Sequence, residues 1–74
     1  MTDEAQQIRA QFLVMAAIEA ARDEGFSHVD IPALWGGTLC IYMGWDTYKG
    51  AVESLWESGA FRVVDEKIVI RRGK

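Results

Sequence analysis

The residue types that do chemistry are few in this chain and stand far apart. His28 is the sole histidine, and Asp30 lies two residues beyond it. A histidine–carboxylate pair becomes a catalytic base only with a nucleophile in reach, and nothing in the sequence marks one. Cys40 is the only cysteine. Its neighbours Leu39 and Ile41 make it read as a buried core thiol. One cysteine and one histidine exclude an internal disulfide framework, a cysteine-rich zinc module and a multi-histidine metal site. Gly36-Gly37 lacks the lysine and following hydroxyl residue of a phosphate loop. No carboxylate pair has a catalytic context. The expectation is a protein that is not an enzyme and uses no cofactor or metal.

Residues suited to binding are better placed. Trp45, Lys49 and Trp56 follow one another at spacings of four and seven, which puts them on one side of a helix. Tryptophan is enriched at binding hot spots, and a lysine can lie over an indole ring. With Asp46 and Glu53 these residues form a candidate partner-binding face. Near the C-terminus, Arg62, Lys67, Arg71, Arg72 and Lys74 form the one basic zone. Arg62, Lys67, Arg71 and Arg72 are candidate phosphate contacts. Cations there would equally guard an edge strand against aggregation.

The chain has 74 residues, enough for one domain. A domain of this size buries only roughly 60% of the surface its unfolded chain exposes. Half of the residues are apolar and 26% are charged, which is globular rather than disordered composition. The net charge is −3, and the isoelectric point is about 4.9. Nucleic-acid-binding domains are usually basic, because phosphate neutralisation drives their affinity. Here residues 1–30 carry a net −4, residues 31–60 a net −2 and residues 61–74 a net +3. The longest apolar run, Phe12 to Ile18, is far short of the ~20 residues a membrane span needs. The acidic start lacks the basic region of a secretory signal. A cytoplasmic protein is expected.

Four elements must position these residues. Residues 3–24 read as one long helix of good helix formers, stopped by Gly25. Ile8, Phe12 and Met15 make its i, i+4, i+7 stripe. Leu13, Val14, Ala17, Ile18 and Ala21 lie off that stripe, so the helix is apolar around most of its circumference. The surplus face predicts a homodimer interface, because a chain this short has little material to cover it. The competing account makes this helix the centre of the domain. Residues 27–30 read as a short extended connector or edge strand. Residues 31–40 read as a second helix with Pro32 in its first turn; Gly36-Gly37 leave open whether it ends there or reaches Cys40. Trp35 reads as core. Residues 45–58 read as a third helix with Asp46 as a cap and Tyr48, Ala51, Val52 and Leu55 as the core stripe. Residues 61–71 alternate as a hairpin in which Val63 faces Ile68 and Phe61 faces Ile70. Its tip, Asp65-Glu66, is not the Asn-Gly type that tight turns prefer, which leaves room for a longer or bulged turn.

This order, with the stretch from Ile41 to Phe61, resembles the winged helix-turn-helix superfamily. The stretch has an apolar residue in the turn, a small polar cap and threonine, a leucine two turns on, then glycine and apolar residues leading into the wing. The resemblance implies a small α+β domain of three helices and a C-terminal β-hairpin wing. It also implies that Trp45, Asp46, Lys49, Gly50 and Glu53 occupy the face that relatives insert into the DNA major groove. That face has one cation against two carboxylates and no arginine to grip a guanine edge. Small acidic proteins of this kind resemble phage-encoded or accessory regulators, some of which present carboxylates where phosphates should bind. The sequence therefore favours a protein-interaction module, an inhibitor or regulator of a nucleic-acid-handling complex. The alternative is a dimeric DNA-binding transcriptional regulator that uses the third helix and the basic wing.

Overall fold

The computed structural model describes residues 3–70. The expectations placed on Arg71, Arg72 and Lys74 lie outside the described residues. Helix α1 (Asp3–Asp23) leads to strand β1 (His28–Asp30), helix α2 (Ile31–Gly37), helix α3 (Trp45–Glu57) and strands β2 (Arg62–Val64) and β3 (Lys67–Val69). The strands form an antiparallel sheet in the order β1-β3-β2. This is an α+β fold with a C-terminal hairpin, in the shape of a small winged-helix-like domain. Among the described residues no helix is long and apolar enough to cross a membrane.

The hairpin follows its alternation. Val63 pairs with Ile68, and Phe61, Ile68 and Ile70 are all buried. Val64 pairs with Lys67, so the turn is a tight two-residue one. It is made by Asp65 and Glu66 at φ of 54° and 62°. Two successive left-handed residues match the twist of the strands, at roughly 1–2 kcal/mol each for non-glycine residues. The connector expected at 27–30 pairs with β3, so β3 is the central strand.

Helix α2 ends at Gly37. After Thr38 the chain makes a separate 3-10 turn over Leu39–Ile41. That break shifts the helical phase and corrects one expectation: Leu39 is buried, whereas Cys40 is exposed. Trp35 is half-buried against the core, and its indole N–H donates to the Met43 carbonyl at 3.0 Å. The cap of α3 is Gly44, not Asp46, which sits in the first helical turn. A carboxylate there still favours the positive end of the helix dipole.

Helix α1 reverses the expected assignment of its faces. Val14 and Ile18 are 0% and 6% exposed and lie in the core with Ala10; Leu13, Ala17 and Ala21 pack against it, half-buried. The set expected to meet a second chain is therefore the inner face of the domain itself. Ile8 and Phe12, from the expected core stripe, are 54% and 73% exposed. The physical reason is size. Ala10 on α1 and Ala51 on α3 are small, and Gly50 faces α1, where a Cβ would meet the Gln7 amide at 3.1 Å. The Gln7 amide in turn approaches the Thr47 carbonyl at 3.4 Å. Small residues let two helix backbones come close, and a phenylalanine at that crossing would hold them apart. Gly50 consequently faces α1 and is not part of an outward reading face. A second chain meeting α1 would find Ile8 and Phe12 instead of Val14 and Ile18.

The reversal is directly testable. Val14→Glu places a charge in the core and should destabilise the domain by on the order of 3–5 kcal/mol, or unfold it. Phe12→Glu should change stability by only about 0.5 kcal/mol. Urea denaturation followed by circular dichroism distinguishes them, and the opposite ranking would contradict this assignment of faces.

Candidate functional site

Three elements meet in a groove of about 390 Å³. Helix α3 forms one wall with Trp45, Lys49, Glu53 and Trp56, and supplies Val52 at the base. The start of α2 adds Ile31 and Pro32, and the hairpin adds Val63, Asp65 and Glu66. Helical spacing explains the α3 contribution. Tyr48, Ala51 and Val52 are buried inward, and residues at 45, 49 and 56 lie beside Val52 at the edge of that stripe.

The walls are tied together through the peptide groups of a single residue. The Ile31 N–H donates to the Glu66 carbonyl at 3.1 Å, which holds the hairpin tip. The Ile31 carbonyl accepts from the Tyr48 hydroxyl at 2.6 Å, which holds α3. Lys67, next to the tip, pairs with Asp30 at 3.0 Å. That ion pair is partly exposed and contributes little. The Tyr48 ring is completely enclosed. Its burial, with no neighbouring cation to stabilise the phenolate, pushes its pKa up to about 12.

The aromatic side chains are also ordered. Trp35 and Trp45 meet edge to face with ring centroids 5.3 Å apart. Trp45 and Tyr48 lie 5.5 Å apart, tilted. Trp45 is thus clamped from behind yet 36% exposed, and Trp56 is 48% exposed. Among the described residues, the side chains of Lys49, Glu53, Asp65 and Glu66 make no ion pair or hydrogen bond. Three carboxylates and one ammonium of the described residues therefore line this groove.

Of the five residues expected to form a binding face, Trp45, Lys49, Glu53 and Trp56 line this groove; Asp46 is exposed but outside the lining. The sequence reading missed the opposite wall, Ile31, Pro32, Asp65 and Glu66. Its one signal was the pair of acidic residues at a turn where Asn-Gly is usual. Of the basic zone, Arg62 and Lys67 are the described residues, and neither lines this groove. Lys67 is engaged with Asp30, and Arg62 is exposed on β2, away from the lining. His28 is exposed beside the Ser27 hydroxyl at 3.0 Å. Among the described residues no group of three or more histidine, cysteine or acidic side chains is placed to hold a metal ion.

A wider depression of about 650 Å³ runs between the end of α1, β1 and α2. It is lined by alanines at 17, 20, 21 and 33, and its Lys67 and Asp30 already pair with each other. It has no indole in its lining, and Glu24 is its one unpaired charge among the described residues. No protein-family model matches the chain, and neither the curated proteins nor the solved structures contain a significant match.

The Tyr48 tie has a pH signature. An unfolded tyrosine loses its proton near pH 10, and the folded one near 12. Between these values the native state keeps a proton that the unfolded chain has lost. Stability should therefore fall as pH rises through that window, by about 1.4 kcal/mol per unit, with no slope from this group below about pH 9. Tyr48→Phe should lose roughly 0.5–1.5 kcal/mol at neutral pH, because it removes the hydroxyl's hydrogen bond to the Ile31 carbonyl while that carbonyl keeps its bond within α2. It should also show a shallower decline between pH 10 and 12. Denaturation midpoints for both proteins across pH 8–12 check this; parallel slopes would contradict it.

Proposed function

We propose that this protein is a small, non-enzymatic interaction module that docks on another protein through the groove face of α3. The observation that carries the reading is the pair of exposed indoles, Trp45 and Trp56, held beside Glu53, Asp65 and Glu66 on a preformed surface. Exposed tryptophan on a rigid scaffold is favourable to binding, because little rotamer freedom remains to be lost. In the winged-helix comparison, α3 and the wing are where a nucleic-acid reader carries its cations. Here α3 carries Asp46, Glu53 and Glu57 against Lys49, and the hairpin tip adds Asp65 and Glu66, carboxylates that phosphates repel. An accessory inhibitor or regulator of a nucleic-acid-handling complex, working in the cytoplasm, fits this charge. The DNA-reading alternative gains no support from α3, whose only cation is Lys49.

Two measurements test the reading. A photo-crosslinking residue at position 57, exposed next to Trp56 and outside the groove lining, should give a discrete protein adduct in source-cell extract. Excess unlabelled protein should compete the adduct away, and excess Trp45→Ala protein should not. The same residue at position 12 should not give that adduct. In parallel, anisotropy with generic duplex DNA at about 150 mM salt should show at most non-specific affinity, roughly 10⁻⁴ to 10⁻⁶ M. Adducts with nucleic acid, or sub-micromolar duplex binding, would overturn the proposal.

A further inference from the structure

We infer that the occupant of the α3–hairpin groove is a cationic segment of the partner, an arginine beside an aliphatic side chain. The inference rests on the interaction reading and specifies its partner chemistry. Charge is the first argument. Glu53, Asp65 and Glu66 line the groove from two different elements, against Lys49 alone, and none pairs with another of the described residues. A cation brought there meets carboxylates on both sides, whereas a carboxylate meets repulsion.

The lining is the second argument. The guanidinium group is planar, stacks on aromatic rings and is weakly hydrated, so it suits a site with indole walls and carboxylates at the rim. Lysine offers a compact, strongly hydrated charge and matches only the rim. Between the walls lie Ile31, Val52 and Val63, which provide apolar contact for one aliphatic side chain and for the arginine stem.

The turn is the third. Asp65 and Glu66 occupy left-handed conformations that asparagine and glycine adopt more readily. The less favourable residues are the ones that place two carboxylates on this rim. The tie from Ile31 to Glu66 and Tyr48 fixes the width of the groove before any partner arrives. Such preorganisation reduces the ordering cost of binding.

Random-peptide display against the intact protein tests the inference apart from the reading beneath it. Enriched peptides should lose binding to Trp56→Ala protein, confirmed folded by circular dichroism, and should share an arginine next to an aliphatic residue. Glu53→Lys should weaken them about fivefold or more. Glu57→Lys makes the same change in net charge outside the groove lining and should leave them nearly unaffected. Peptides that depend on Trp56 but lack a cation, or that respond equally to both reversals, would overturn the cationic partner and leave the docking face standing. No enrichment, or enrichment indifferent to Trp56→Ala, would overturn both.

Discussion

The two hydrogen bonds at Ile31 hold the functional face together. One peptide unit gives its N–H to the hairpin tip at Glu66 and the next accepts the Tyr48 hydroxyl from α3. The first continues the β1–β3 pairing that sets the start of α2 beside the hairpin, and the second ties that pair of elements to α3. The Tyr48 bond is short and part-buried, and the ring that carries the hydroxyl is completely enclosed. Tyr48 also backs Trp45. One buried side chain therefore sets both the width of the groove and the position of one of its indoles. Pro32 follows directly, with its φ already restricted to values that suit the first turn of α2.

The second constraint is the close crossing of α1 and α3. Ala10, Gly50 and Ala51 are small enough to let the helices approach, and Val14 and Ile18 then reach into the core with Phe61, Ile68 and Ile70. Committing these faces of α3 to α1 and the sheet turns its remaining side toward the groove. Phe12 would be too bulky for the crossing and lies outside, as does Ile8, on the face of α1 turned away from Ala10, Val14 and Ile18.

Features with strong contrast were legible in the sequence. The hairpin register was readable because Phe61, Val63, Ile68 and Ile70 recur at a period of two, which leaves one register that turns all four to the same side. The α3 core was readable because Tyr48, Ala51, Val52 and Leu55 stand on an otherwise polar helix. Helix α1 has no such contrast. Its run from Phe12 to Ile18 is apolar all round, so periodicity singled out the stripe through Ile8 and Phe12 while packing buried the one through Ala10, Val14 and Ile18. Cys40 was misplaced because the break at Thr38 re-phases the chain by an amount that residue spacing does not encode. Half of the groove was legible, since Trp45, Lys49, Glu53 and Trp56 belong to one helix. The other half depends on backbone hydrogen bonds across 35 residues of sequence, from Ile31 to Glu66, and side-chain patterns carry no record of those.

The central claim is that the fold turns one tryptophan inward and offers two to a partner. Nuclear magnetic resonance of the ring protons, with and without a soluble nitroxide, tests it most directly. Signal loss should be greatest for Trp56, intermediate for Trp45 and least for Trp35, whose indole N–H is held by the Met43 carbonyl. Attenuation of Trp35 as strong as that of Trp56, or equal protection of all three rings, would contradict it.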